Sequence, residues 1–353
     1  MLRPEMTSME RVLTTLRHCE PDRVPFFLLL TMHGAKELGL SIRDYFAKAE
    51  QVIEGQLRLR AKYQHDCLYP LLYGAAEAEA FGGEVIWYED GPPNSGRPVI
   101  SKPEDILRLT VPVPEETPCL RRMLEVIAGL KERVGDAVPI MGVAIAPFSL
   151  PVMQMGFPAY IELLYERPEL FRHLMAINQK FCVAWANAQF RAGATAVCYF
   201  DPLASPDMIS PDMYRCTGLS LARQCLSRFQ GPAVIHLGSG RCLPVIEELA
   251  TVGVVAVGVS ALEDLAAVKA TCKGKITVAG NLNGIAMRRW TVAQAEAEVK
   301  KVLAAAAPGG GFILADNHGE IPWQVSDEIL LAISEAMRKW GCYETALPLL
   351  SRL

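Results

Sequence analysis

No apolar run in these 353 residues approaches the roughly 18 that a bilayer-spanning helix needs, so a membrane-embedded protein is not expected. Positive charge does not accumulate either. Lys and Arg number 35 against 39 Asp and Glu, a net charge of −4, and without a basic footprint nucleic acid is a poor candidate partner. The ten cysteines contain no C-x-x-C pair and suggest no disulfide framework; most read as small buried hydrophobes. The opening MLRPEMTSMERVLTTLRHCEPDR carries charge where a secretory leader would carry an apolar core, and a cytoplasmic protein is expected. Low-complexity tracts, short repeats and domain boundaries are missing as well, so residues 1–353 read as one domain.

What is present is core material: 51% of residues are apolar and 21% charged. Eight short apolar runs recur, at 24–30 (VPFFLLL), 67–72, 140–145, 196–200 (AVCYF), 233–237, 254–259, 276–279 and 312–315 (FILA). Most are separated by amphipathic segments at helical spacing: 42–63, 119–134, 159–192, 211–229, 242–251, 262–272 and 291–306. Continuous apolar strands alternating with helices indicate parallel strands buried on both faces, and eight such units favour a (β/α)8 TIM barrel over a doubly wound sheet. An N-terminal helix within 6–19 precedes the barrel, a closing helix spans 326–339, and 81–103 (FGGEVIWYEDGPPNSGRPVISKP) reads as a small β-hairpin excursion.

Barrel chemistry sits where strands end. The first run is followed by Thr31, Met32 and His33; the fourth by Asp201 and Ser205; the fifth by His236, Gly238 and Ser239. The sixth gives Ser260, the seventh Asn281 and Asn283, and the eighth Asp316, Asn317, His318 and Glu320. Of the six histidines, His18 and His173 lie in helical patterns, and His65 beside Asp66 begins a strand, at the end of the barrel remote from chemistry. His236 and His318 end buried strands, where a polar ring needs a partner. Two readings fit them. Imidazoles with Asp201, Asp316 or Glu320 make an N/O metal set, or they are hydrogen-bonded rings shaping an organic pocket. Glu77 and Glu79 fall at helical spacing, as on a solvated face. Gly309–Gly311 precedes a strand, not a helix N-terminus, and is a turn, not a phosphate cradle.

Several segments together resemble the uroporphyrinogen decarboxylase superfamily over essentially the whole chain: ERVLTTLRHCEPDRVPF, EGQLRLRAKYQHDCLYPLLYGAAEAEAFGGEV, FDPLASPDMISPDMYRC, VIHLGSG, VAGNLNG and GGGFILADNHGEIP. The resemblance implies the same barrel and one of two chemistries: cofactor-free decarboxylation of a porphyrinogen, or methyl transfer involving corrinoid proteins, often with zinc. The decarboxylase motifs are altered. The Arg-rich segment after the first strand is replaced by Leu30, Thr31, Met32, His33 and Gly34. The position of the catalytic Asp falls near Tyr73 or Gly74, and that of a Tyr near Met153. Without those charges a poly-acid is not neutralised.

The corrinoid-dependent branch is the better match. Its thiol-alkylating members hold zinc with His-x-Cys after the fifth strand and a Cys after the eighth. Here His236 is kept, Gly238 replaces the cysteine, and His318 stands at the later position. The resemblance therefore implies a harder metal site of His236 and His318 with Asp201, Asp316 or Glu320. His236, His318 and Asp201 would be catalytic; His33, Tyr73, Met153, Ser205, Asn281 and Asn317 would line the substrate and corrinoid pocket. The expected activity is a demethylating methyltransferase passing a methyl group from a small methylated substrate to the cobalt of a partner corrinoid protein. No D-x-H-x-x-G pattern surrounds any histidine, so the corrinoid is expected to arrive on that partner, with the Met-rich stretch 146–160 (APFSLPVMQMGFPAY) part of the rim or wall, or ordinary packing. A homodimer is a further expectation. The competing readings are a metal-free lyase using His236 or His318 as acid–base, and a non-catalytic ligand-binding subunit.

Overall fold

The computed structural model describes residues 5–317 and 319–343. Seven parallel strands follow one another around a curled sheet: β1 (Phe26–Phe27), β4 (Met141–Ile145), β5 (Ala196–Phe200), β6 (Ala233–His236), β7 (Ala256–Gly258), β8 (Thr277–Asn283) and β9 (Phe312–Asn317). Their order is β1-β9-β8-β7-β6-β5-β4. The two remaining strands, β2 (Val85–Ile86) and β3 (Asn94–Ser95), form the expected hairpin as an antiparallel pair outside the ring.

The gap between β1 and β4 is closed by the second apolar run, which makes a single parallel bridge, Leu68 to Ile140. Asp66 N–H donates to Phe26 O at 2.6 Å, Leu68 N–H to Pro139 O at 2.9 Å and Met141 N–H to Leu68 O at 2.9 Å. The run stops pairing there because Pro70 has no N–H to offer a ladder. Beyond it the edge of β4 is completed from outside. Gln189, on the helix Pro168–Ala192, accepts from Val143 N–H at 3.0 Å and donates to Val143 O at 2.8 Å. Glu77 accepts from Ile145 N–H at 2.9 Å. Gly142 makes room for this: a Cβ there would stand 2.4 Å from Gln189 Oε1. With these substitutes the sheet closes as a (β/α)8 barrel.

The segments expected as helices are present with breaks. The 42–63 segment divides into Ile42–Ala47 and Ala49–Tyr63, and 159–192 divides at Pro168 into Phe157–Glu166 and Pro168–Ala192. The N-terminal helix Ser8–Leu16 begins with a capping box, Glu10 N–H donating to Thr7 Oγ1 and Thr7 N–H to Glu10 Oε2. Its Val12 and Leu16 pack with Phe27, Cys67, Ile313, Tyr69, Met141, Ala279 and Ala315, plugging the end of the barrel where the strands begin. No described helix is long and apolar enough to cross a membrane.

Candidate active site

Side chains in one row of a parallel sheet share a face. Phe200 pairs with His236, His236 with Gly258 and Gly258 with Ala279; Asn281 pairs with Ala315, Ala315 with Phe27, and Asn283 with Asn317. Ala279, Ala315 and Phe27 touch the plug beneath the lumen, so this set is the inner face. The alternate residues Tyr199, Val257, Val278 and Leu314 are buried beneath the helices.

His236 is the polar centre of the inner row. Its half-buried ring lies 5.7 Å from that of Phe200 and leans across Gly258, where a Cβ would meet His236 Cδ2 at 2.0 Å. Gly238 N–H donates to His236 Nδ1 at 2.9 Å. Gly238 has φ +61°, which favours glycine, and a Cβ on it would stand 2.9 Å from Pro202 Cβ. Asn317 reaches from β9 to the same turn: its Nδ2 donates to Gly238 O at 3.3 Å and its Oδ1 accepts from Ala261 N–H at 3.0 Å. A parallel set of bonds joins the next loops, Asn281 Nδ2 donating to Ser260 O at 3.0 Å and Ser260 Oγ to Ser239 O at 2.8 Å. Asn281 and Asn283 also line a cleft of about 460 Å³ beside the mouth, with Trp290, Glu263 and Lys301.

The carboxylates expected beside His236 occupy other positions. Asp201 follows Phe200 and so belongs to the outer face, where Ser149 Oγ donates to it at 2.6 Å. Burial pushes its pKa up to about 7 against that hydrogen bond. Asp316 and Glu320 stitch the tail of β9 to the tail of β1. Leu29 N–H donates to Asp316 at 2.8 Å, and Glu320 accepts from Met32 N–H at 2.7 Å and from the Thr31 hydroxyl. Burial raises Asp316 to about 7, opposed by Leu29 N–H; it raises Glu320 to about 8, opposed by Met32 N–H and reinforced by repulsion from Asp316.

The other expected pocket residues are dispersed. His33 is buried 6.0 Å from the Trp323 ring; desolvation, with Lys36 adding repulsion, drops its pKa to about 3, so it is neutral. Tyr73 packs edge-on to Trp87 at 5.2 Å and donates to Glu79 at 2.5 Å. Met153 covers Gly74, whose Cβ would lie 3.7 Å from its methyl, and Ser205 is buried against Gly240. His318 lies outside the described residues. Of the expected set, His236, Asn281 and Asn317 are therefore brought together by the inner face and its loops, whereas Asp201, Tyr73 and His33 are not. Phe200 and Gly258 belong to the site and were not singled out from sequence, although strict alternation from His236 outward reaches both.

The described residues by themselves do not make the zinc site implied by the family resemblance; His318, one of its expected ligands, lies outside them. Gly238 supplies no thiolate and has no space for one. His236 Nδ1 already accepts an N–H, and one oxygen each of Asp316 and Glu320 is bonded to the β1 tail. Among the described residues no three His, Cys, Asp or Glu side chains gather closely enough to hold a metal.

The family model described as uroporphyrinogen decarboxylase (URO-D) matches residues 7–340. A uroporphyrinogen decarboxylase of Nitrosospira multiformis is 28% identical over 254 residues, 68% of this chain and 67% of that one. The methylcobamide:CoM methyltransferase MtaA of Methanosarcina barkeri is 27% identical over 202 residues, 57% of this chain and 58% of its own length. Among solved structures, a methyltransferase from Methanosarcina mazei superposes with a TM-score of 0.84 at 22% identity, over 95% of this chain and 99% of that chain, and shares the fold.

Proposed function

Because this chain belongs to the uroporphyrinogen decarboxylase family, we propose that it is a methyltransferase within it, moving a methyl group from a small methylated substrate to the corrinoid cobalt of a partner protein. The observation that carries this reading is the charge of the inner face. Phe200, His236, Gly258, Ala279, Asn281, Ala315 and Asn317 include no Lys or Arg. A porphyrinogen bearing many carboxylates needs fixed positive charge to enter such a site, and its decarboxylation needs charge stabilisation; neutral amides and one imidazole offer neither. A small neutral or weakly polar methyl donor suits the same surface. Its body rests on Phe200 and the alanines, and its heteroatom faces His236.

The corrinoid supplies a strong two-electron nucleophile. This chain's part is to orient the donor, exclude water and stabilise the group left behind. No step is assigned to zinc.

The test is to add the purified protein and a panel of methyl ethers, methylamines, betaines and methanol to a reduced corrinoid protein. Methyl transfer is read from the cobalt absorption spectrum. Conversion to the methyl form that requires both protein and donor is expected. Consumption of uroporphyrinogen with no methyl transfer from any donor would replace this reading with the decarboxylase one.

A further inference from the structure

The Met-rich stretch 146–160 leaves β4 at the mouth, and the proposed chemistry does not use it. It folds into two helices, Pro151–Met155 and Phe157–Glu166, inserted ahead of the helix Pro168–Ala192 that returns to β5. The insertion stands above the rim. Pro168–Ala192 has 25 residues and runs about 37 Å, whereas the five residues of β5 rise only about 17 Å. The far end of that helix meets the start of β5, so its near end overshoots the strand ends and lifts Phe157–Glu166 with it.

Helix Phe157–Glu166 has two apolar faces. Tyr160 and Leu163 are buried, and Tyr160 anchors the helix. Its hydroxyl donates to Phe148 O at 2.7 Å, and its ring lies 5.9 Å from that of Phe148 and 6.4 Å from that of Phe171. At about 100° per residue, Leu164, Phe157, Ile161, Tyr165 and Pro158 follow one another around the next sector, roughly 120° wide. A stripe of that width ordinarily faces a core. Here Phe157 is 42% exposed and Tyr165 66%. Glu162 and Glu166 come next around the helix and border the sector with negative charge.

A second copy of this chain is a poor occupant for that face. In a two-fold pair each helix meets itself, which would bring four carboxylates together. The helix contains no Lys or Arg, and Arg167 just beyond it is already paired with Glu104 at 3.3 Å and Glu169 at 3.0 Å. An apolar face edged with acid suits a different protein, one whose apolar patch is bordered by basic side chains. The face is also continuous with the mouth. Met153, on the preceding helix, covers Gly74 where the second apolar run ends, its methyl 3.7 Å from where a Cβ would stand. A partner that brings cobalt to the mouth must lie against what rises beside it.

We propose that the face formed by Leu164, Phe157, Ile161 and Tyr165 is the seat of the corrinoid-carrying partner protein, with Glu162 and Glu166 meeting basic side chains of that partner. The identity of the partner rests on the methyl-transfer reading. Tyr160 and Phe148 hold the seat in place before docking, so little ordering is left to offset the contact.

The test gives the full-length protein two acceptors, the reduced corrinoid protein and free cob(I)alamin, because free cobalamin needs no seat for a protein. The double variant Phe157→Ser/Tyr165→Ser should raise the KM for the corrinoid protein at least tenfold, about the loss of one interface hot spot, with kcat little changed. The ratio of carrier-bound to free-cobalamin transfer should fall by the same factor. Glu162→Lys/Glu166→Lys should raise that KM too, by a factor that shrinks as salt is added. Leu13→Ser, at a similarly exposed apolar position on the plug helix, should leave the ratio at its wild-type value. A folded Phe157→Ser/Tyr165→Ser variant with the wild-type KM overturns the docking site and leaves methyl transfer standing. Equal losses with both acceptors overturn it as well, since the effect then lies at the donor site. So does a wild-type dimer that the same variant converts to monomer, because a second copy then covers the face. Methyl transfer to neither acceptor from any donor overturns the functional reading, and the proposal with it.

Discussion

At the scale of single residues, the mouth depends on absences as much as on side chains. Gly258 is a clear case, because a methyl group there would overlap the His236 ring at 2.0 Å. Overpacking of this kind costs about 1–3 kcal/mol when the neighbour cannot retreat. His236 is half-buried, so its ring gives way before the sheet does, and the expected cost of Gly258→Ala falls on function: at least a tenfold loss of methyl transfer with denaturation stability lowered by no more than about 1 kcal/mol. Glu77 makes the opposite case, a residue whose effect is on stability. It is buried, accepts from Ile145 N–H and lies by the Trp185 indole, and burial raises its pKa to about 8 despite both contacts. A carboxyl raised in the fold stabilises fully below its unfolded pKa and loses that contribution as pH rises through the folded value. Urea denaturation should therefore show wild type losing stability between about pH 4.5 and 8, with Glu77 contributing up to about 1.4 kcal/mol per pH unit to a slope it shares with the raised Asp201, Asp316 and Glu320. Glu77→Gln should reduce that slope by Glu77's share and leave the part due to the other three carboxyls. A variant with the wild-type slope would place the titrating group elsewhere.

At the scale of elements, the weakest strand is the most informative. The run 67–72 has the composition of a buried strand, yet it contributes one bridge, because Pro70 interrupts it and β4 takes its remaining partners from Gln189 and Glu77. Replacing Gln189 by Ala leaves Val143 N–H and C=O without partners in a buried seam, at about 1–3 kcal/mol for each unsatisfied group. The expected result is a loss of about 2–4 kcal/mol in unfolding free energy and faster amide exchange at Val143. Unchanged exchange would mean the seam closes by other means. The alternation of apolar runs and helical segments made the barrel legible in the sequence, since burial on both faces leaves that pattern in any parallel sheet. The site was less legible for a local reason. Proximity along the chain placed Asp201 and Asp316 next to inner-face residues, but a strand turns adjacent side chains to opposite faces. Phe200 and Ala315 point inward, so their neighbours point outward. Gln189 could not be found this way at all, because nothing in a helical pattern marks one glutamine as the completion of a distant strand.

At the scale of the whole molecule, the plug and the proposed methyl-transfer site lie at opposite ends of the barrel. The end where strands begin is closed by the helix Ser8–Leu16 and by an ion network centred on Asp66, which is 1% exposed. Asp66 accepts from Ser8 Oγ at 2.8 Å, Arg11 Nη1 at 2.6 Å, both terminal nitrogens of Arg23 at 2.7 and 2.9 Å, and Phe26 N–H at 2.9 Å. Arg11 is paired a second time, with Asp22 at 2.6 Å. One carboxylate thus ties the plug to the first strand and to the segment that completes the ring, while His236 and Asn317 stand at the far ends of β6 and β9. Asp66→Asn keeps the shape but leaves Arg11 and Arg23 without their shared counter-charge. Breaking a buried pair from one side costs about 3–5 kcal/mol. The midpoint of chemical denaturation should fall accordingly. Methyl transfer measured well below the unfolding temperature should stay within about twofold of wild type, because none of the described mouth residues is hydrogen-bonded to Asp66. A large loss of activity in a variant that remains folded would show that the plug is coupled to the mouth through the strands, and that the two ends of this barrel are not independent.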